Sequence, residues 1–274
     1  MLLSAPSPDP LPEPVPAPSS ATVPAGSSRA RGRRALHALV DWLVPPLCLV
    51  CRKPLAEPQS LCGPCWSQME IITPPICDIM GTPLAFDAGP TARSPELRWN
   101  HPLYDRARAA AVFGPLSQRL VHQLKYQDVP GVAALMARLM SRSVREVTDE
   151  ADFLVPMPLH RRRLAERRFN QAVLLADALS PLVGVPVRRR LVARVRDTNK
   201  QIGLSRHERA NNLHNAFRIA DPDAIAGRRV VIVDDVLTTG ASADALAFTL
   251  RAAGARSVGV AVFARVVGNV REPA

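Results

Sequence analysis

From Tyr104 onward the chain alternates short apolar runs with longer amphipathic stretches, the pattern of a parallel sheet with crossover helices. Apolar runs bounded by turn residues predict strands over Arg108–Phe113, Asp152–Met157, Val185–Leu191, Arg229–Val233 and Ser257–Phe263. Between them, apolar residues at helical spacing predict helices over Leu116–Tyr126, Val132–Val147, Arg161–Leu182, Ser205–Ala216 and Ser242–Ala253. The implied fold class is α/β, a parallel sheet with flanking helices. No internal repeat is visible in this reading.

The first hundred residues follow a different pattern. Residues 1–35 read as a Pro/Ala/Ser-rich tail: Met1 to Ser28 holds eight Pro, no Lys or Arg and no continuous apolar stretch, which suits disorder and not a secretory signal. A short helical pattern from Arg29 to Val44 stops at Pro45 and Pro46. Residues 36–90 form a module rich in Cys, Pro and Gly that needs a ligand to hold it together. Residues 91–103 read as a linker, and residues 104–274 as the α/β domain.

Composition narrows the classes. With 47% hydrophobic but only 4% aromatic residues, the core must be built from Ala, Val and Leu. No apolar run reaches membrane-spanning length, because Asp41, Pro45, Pro46 and Arg265 interrupt the candidates. A soluble protein with no membrane insertion is therefore expected. Five cysteines confined to residues 48–77 do not suit a disulfide framework spread over a secreted domain, so the expected location is cytoplasmic.

The formal charge is +11, which favours polyanions as partners. Between His160 and Arg209, twelve Arg and Lys200 face four acids, a net of +9. Only three of the 35 cations are Lys, a bias that a GC-rich genome would also produce.

Two motifs carry chemistry. Cys48-Leu-Val-Cys51 and Cys62-Gly-Pro-Cys65 are two C-x2-C pairs ten residues apart, a spacing that places four thiolates around one Zn²⁺. Cys62-Gly-Pro-Cys65 alone also has the form of a redox pair, but it lacks the strand that such a site follows. A closed tetrathiolate site leaves no position for water, so its role would be structural. Cys77 stands alone and reads as a small apolar residue.

The second motif is VVIVDDVLTTGAS, Val230 to Ser242. A buried strand runs into Asp234 and Asp235, then into a turn of small hydroxylated residues, then into a helix. Backbone N–H groups of Thr239, Gly240, Ala241 and Ser242 would form an anion nest, with Thr238, Thr239 and Ser242 hydroxyls as further donors. Carboxylates at the end of such a strand accept from sugar hydroxyls or hold hydrated Mg²⁺. A strand end with an ordinary helix cap has the same outline, but buried acids there would need partners.

Cationic segments flank this motif. Arg161, Arg162 and Arg163 follow the strand ending at Met157, and guanidinium forks pair bidentately with phosphate oxygens. A solvated helix face would have the same composition. Arg194 and Arg196 open a basic stretch, RVRDTNKQIGLSRHERANN, that reads either as a closing loop over a phosphorylated ligand or as a surface loop. Lys125 is a further candidate counter-charge for a pyrophosphate.

The thirteen-residue segment resembles the phosphoribosyl pyrophosphate (PRPP) motif of type I phosphoribosyltransferases. The cysteine pairs, VPMPLHRRRLAERRFNQA, RVRDTNKQIGLSRHERANN and VVIVDDVLTTGAS, in that order, resemble the competence protein F (ComF) family of phosphoribosyltransferase-like proteins over roughly residues 45–265. The basic stretch is also similar to the closing loop of amidophosphoribosyltransferases, whose glutaminase domain has no counterpart here. The resemblance implies that Asp234 and Asp235 contact the ribose hydroxyls, that Thr238, Thr239, Gly240, Ala241 and Ser242 cradle the 5′-phosphate, and that Mg²⁺ accompanies PRPP. It implies a role in handling imported single-stranded DNA with the DNA-uptake machinery. Alternatives are an active phosphoribosyltransferase in nucleotide salvage or synthesis, and a zinc-ribbon nucleic-acid binder with a vestigial PRPP site. The chain departs from the family pattern in two respects: Cys77 and Met80 stand where a further C-x2-C often occurs, and Arg168 stands where a Gly often precedes Phe-Asn-Gln.

Overall fold

A computed structural model of the protein describes residues 45–89, 91–98, 101–126, 131–196 and 216–267. In chain order its elements are α1 (Gly63–Trp66), a one-turn 3-10 helix (Pro95–Arg98), β1 (Arg106–Val112), α2 (Pro115–Tyr126), α3 (Val132–Ser143), α4 (Arg145–Thr148), β2 (Phe153–Pro156), α5 (Arg161–Arg167), α6 (Gln171–Val183), β3 (Val192–Arg194), β4 (Phe217–Ile219), β5 (Arg229–Leu237), α7 (Ala241–Ala252) and β6 (Ser257–Arg265).

β1, β6, β5 and β2 lie side by side in that order, every pairing parallel. Parallel strands need helices on both faces, which is why β5 and β6 read as continuous apolar runs. On one face Val231, Val233, Ala261 and Phe263 pack with Leu120 and Leu124 of α2, Met136 and Met140 of α3, and Leu175 and Leu179 of α6. On the other, Val230, Ile232, Val258, Val260 and Val262 pack with Leu246 and Leu250 of α7. Each such fully buried side chain stabilises by roughly 1.5–3 kcal/mol, so a core poor in aromatics is sufficient at this size.

Both sheet edges are covered. Against β1, the Ile72 N–H donates to Ala110 O (3.0 Å), the Val112 N–H to Glu70 O (2.8 Å) and the Ala107 N–H to Ile79 O (2.8 Å). Against β2, the Leu154 N–H donates to Pro186 O and the Arg188 N–H to Leu154 O, both at 2.8 Å. Edge groups left bare would template aggregation.

The cysteine segment shares the main core: Cys48, Leu49, Cys62, Cys65 and Met69 are buried in the same cluster as α2 and α3. The stretch expected as a linker contributes the Pro95–Arg98 turn and buries Leu97.

Three expected elements differ. The helix expected over Arg161–Leu182 is two helices, because Arg168 takes φ 65 and Asn170 caps α6, its Oδ1 accepting the Ala172 N–H (2.9 Å) and its Nδ2 donating to Met157 O (3.0 Å). An Asn that finds backbone partners of its own starts a helix better than it continues one. The helix over Val132–Val147 likewise breaks at Val144 into α3 and α4. The strand expected over Val185–Leu191 makes one isolated bridge, Val187 to Leu154; β3 begins after it and pairs antiparallel with β4 in a separate ribbon. The tail, the Arg29–Val44 pattern and residues 205–215 of the expected helix lie outside the described residues.

Candidate functional site

β5 delivers Asp234 and Asp235 to the carboxyl edge of the sheet, where open α/β folds bind ligands. The chain then turns through Thr238 and Thr239 to Gly240, which caps α7 at φ 82 and brings no capping side chain of its own. Gly240 serves by conformation and not by space: a Cβ there would meet nothing closer than Asp244 Oδ2 at 3.8 Å and Tyr104 OH at 3.9 Å. Of the first-turn N–H groups, that of Ala241 donates to the Thr239 hydroxyl at 3.4 Å, while the N-cap residue itself offers no side-chain acceptor to the others. Asp234, Thr238, Thr239, Gly240, Ala241 and Ser242 line one cavity of about 100 Å³, whose apolar wall includes Met157, Ile232 and Val262. A hollow of about 120 Å³ at the amino ends of the strands is lined by Arg106, Glu146, Glu150 and Arg229. These side chains pair with one another there (Arg106–Glu146 3.1 Å, Arg229–Glu150 2.6 Å), so the charges are already answered.

The two aspartates separate. Adjacent residues of a strand point to opposite faces. Asp234 lines the cavity, and its Oδ1 accepts the Asp235 N–H at 2.9 Å. Asp235, 3% exposed, turns to the other face, where Lys125 Nζ lies 2.5 Å from its Oδ2 in an ion pair outside hydrogen-bond alignment. Burial, and then the charge of Asp235, push the Asp234 carboxyl well above the ordinary range; Lys125 pulls the other way. An acid so placed favours a proton, a cation or a hydrogen-bond donor in the cavity. Lys125 lies in the last turn of α2, and two residues earlier Gln123 donates to Leu49 O (2.7 Å), inside the first cysteine pair.

The cations of the sequence motif follow β2 beyond its carboxyl end, but none of Arg161, Arg162, Arg163, Arg194 and Arg196 lines the cavity. His160 caps α5, its Nδ1 accepting the Arg162 N–H at 3.4 Å. Arg161 and Arg162 are exposed and Arg163 is half-buried. Arg162 makes a solvent-screened pair with Glu166 at 3.3 Å. A parallel bridge between His160 and Arg194 sets the two basic segments side by side. Arg194 lies over the Phe217 ring (5.6 Å), and Arg196 is exposed. The remainder of the basic stretch, from Asp197, lies outside the described residues.

Two further features were not read from the sequence. Arg167 donates to the Tyr126 hydroxyl (3.1 Å) and lies 5.1 Å over its ring, tying α5 to the end of α2 beside Lys125. Arg265, 4% exposed at the end of β6, leaves Nε and Nη1 without hydrogen-bond partners among the described residues. It lies against Tyr104, whose hydroxyl burial pushes up and Arg265 pulls partly back, and which also borders Gly240. A charged residue closing an otherwise apolar strand was its only sequence signal.

The cysteines meet the test for zinc. The Sγ atoms of Cys48, Cys51, Cys62 and Cys65 all lie within 4.8 Å of one another, with Cys51 and Cys62 at 3.4 Å. A tetrahedron with Zn–S bonds of ~2.3 Å has edges of ~3.8 Å. Burial pushes Cys48 up, but the N–H groups of Cys51, Cys62 and Val50 more than offset this and hold it at about 6. Burial and the neighbouring thiols push Cys65 up to about 12. Four sulfurs this close need a dication to be thiolates together.

A family model described as "Double zinc ribbon domain" matches residues 39–95, and one described as "Phosphoribosyl transferase domain" matches residues 122–272. The chain is 35% identical to the DNA utilization protein YhgH of Escherichia coli (strain K12) over 223 residues, 79% of this chain and 96% of that protein. It is 30% identical to Competence protein F of Haemophilus influenzae over 225 residues, 80% of this chain and 96% of that one. Among solved structures, the allosteric regulatory enzyme of purine biosynthesis matches at 22% identity and a TM-score of 0.34, over 51% of this chain and 29% of that one. Among the described residues no helix is long and apolar enough to cross a membrane.

Proposed function

The chain belongs to the competence protein F family of phosphoribosyltransferase-domain proteins, and from that premise we propose that it binds PRPP with Mg²⁺ at the carboxyl edge of the sheet. The observation that carries this reading is the cavity that Asp234 shares with the N-terminus of α7. In it, Thr238, Thr239, Gly240, Ala241 and Ser242 hold the 5′-phosphate, because N–H groups converging at a helix end favour an anion. Asp234 accepts from a ribose hydroxyl. Asp235 acts from the other face, held by Lys125, and fixes the strand end that carries Asp234. Arg161, Arg162, Arg163, Arg194 and Arg196 form the cationic side that receives the pyrophosphate.

Mg²⁺ is held by one or two carboxylates together with substrate phosphates, which suits a cavity with the single carboxylate of Asp234, and when bound it neutralises the pyrophosphate leaving group. The protein's own part is to fix the phosphate and the ribose and to surround the leaving group with guanidinium charge. Displacement of pyrophosphate at the anomeric carbon asks for little general-base machinery.

The process served is the handling of imported single-stranded DNA in the cytoplasm. Relatives named for competence and DNA utilization support this, as does the cationic edge formed by α5 and β3. Thr238→Ala combined with Ser242→Ala tests the phosphate position through ribose 5-phosphate titration followed by thermal shift. At least a tenfold loss of affinity is expected; an unchanged midpoint would move the phosphate away from the turn.

A further inference from the structure

The cysteine segment contains the same knuckle twice, and only the first copy carries a full pair of cysteines. Pro45-Pro-Leu-Cys-Leu-Val-Cys-Arg-Lys-Pro-Leu55 and Pro74-Pro-Ile-Cys-Asp-Ile-Met-Gly-Thr-Pro-Leu84 align without a gap, a repeat that the alternation pattern alone does not reveal.

The backbones repeat as well. Antiparallel bridges close both loops, Leu47 to Pro54 and Ile76 to Pro83. The Cys48 N–H donates to Lys53 O at 2.8 Å, as the Cys77 N–H does to Thr82 O at 2.7 Å. The Arg52 N–H returns to Cys48 O (3.0 Å), as the Gly81 N–H does to Cys77 O (2.8 Å), both donors in the left-handed region at φ 62 and 66. Each first sulfur also accepts an N–H from the residue that opens the second half of its ribbon: Cys62 to Cys48 at 3.4 Å, Ser94 to Cys77 at 3.2 Å. A single helical turn follows in both, α1 and Pro95–Arg98, which places Leu97 where Cys65 stands.

The four ligand positions of the second ribbon are therefore Cys77, Met80, Ser94 and Leu97. One thiol, one thioether, one hydroxyl and one alkyl group do not make a zinc site. Cys77, Met80 and Leu97, all buried, instead form a small cluster of their own with Ile79 and Leu84. Met fills such irregular gaps well.

The second ribbon also has a mechanical task that does not use a metal. Asp78 O accepts from Arg108 Nη1 (2.8 Å), the Asp78 carboxylate pairs with Arg106 (3.0 Å), and a Cβ at Gly81 would stand 2.2 Å from Ala107 O. The loop is pressed onto β1 and held there by ion pairs and backbone bonds.

We propose that this protein takes up one zinc ion, at Cys48, Cys51, Cys62 and Cys65, and that its second ribbon is a metal-free clamp on the sheet edge. In this ribbon apolar packing replaces coordination.

Elemental analysis of the full chain, purified with zinc in excess and dialysed, gives one zinc per chain, and Cys77→Ser leaves that ratio unchanged. Two zinc ions in the wild type, or a loss of zinc in Cys77→Ser, would overturn the proposal. Restoring the ligands with Met80→Cys, Ser94→Cys and Leu97→Cys raises the ratio to two; a folded triple variant that stays at one would show that the second loop is not a knuckle. If the triple variant does not fold, hydrogen exchange of the wild type decides. Chelation deprotects residues 48–66 and leaves 76–84 protected, and deprotection of both segments would contradict a metal-free clamp.

Discussion

Replacing Lys125 by Met leaves the Asp235 carboxylate buried without its counter-ion. The aspartate side chain is 5% exposed and the lysine 22%, so water cannot take over the solvation of the acid, whereas the lysine loses little on removal. Breaking a buried pair from one side costs about 3–5 kcal/mol, and the partly wet ammonium reduces this to about 2–3 kcal/mol. For a body of this size that is a fall in Tm of roughly 4–12 °C. Lys125→Met combined with Asp235→Asn removes both charges and should return to within about 1 kcal/mol of wild type, because the penalty lies in the orphaned carboxylate and not in the loss of the pair. Urea denaturation of the four proteins of this cycle, with zinc held in excess, measures the coupling. A Lys125→Met variant within 0.5 kcal/mol of wild type, or a double variant no more stable than the single, would refute the reasoning that Asp235 is a supporting group on the far face.

Asp234→Asn should behave in the opposite way, because the wild-type charge is already disfavoured by burial and by Asp235: stability of the ligand-free protein holds or rises in the same assay, while Mg²⁺-dependent PRPP affinity falls by tenfold or more in calorimetry. Arg168→Gly relieves a left-handed residue that carries a side chain, and should raise stability by about 0.5–1 kcal/mol in urea melts. Burial pushes Glu146 up, but the hydrogen bond and charge of Arg108, with Arg106, hold it net below its ordinary value; Asp152 is held down chiefly by the Arg229 N–H. A lowered native pKa means that the unfolded state binds more protons, so this stability is complete above the ordinary carboxylate range and is lost as pH falls through and below it. Glu146→Gln should therefore flatten the acid limb of a stability-against-pH curve, and an unchanged slope would show that the pair is idle.

What the sequence disclosed follows from how local each feature is. The strand, the acids, the turn and α7 occupy Val230–Ala252 without interruption, so their order alone outlines the cavity. The first zinc site is readable because its ligands are adjacent pairs. The separation of Asp234 from Asp235 follows from strand alternation, but the partner of Asp235 is Lys125, far off in sequence, and only the packing of α2 on the sheet brings the two together. The break between α5 and α6 depends on Asn170 finding Met157 O, another distant contact. The second knuckle shows in the sequence only at Cys77, because its other ligand positions hold Met80, Ser94 and Leu97, so its recurrence lies in the loop residues and not in the cysteines.

The proposed PRPP site joins Asp234 to the turn at the head of α7 and works with Mg²⁺. Calorimetric titration of PRPP into the zinc-loaded protein, in Mg²⁺ and in Mg²⁺-free buffer, tests it most directly. Saturable 1:1 binding that weakens by at least tenfold without Mg²⁺ is the predicted result; no binding in either buffer, or equal affinity in both, would contradict it.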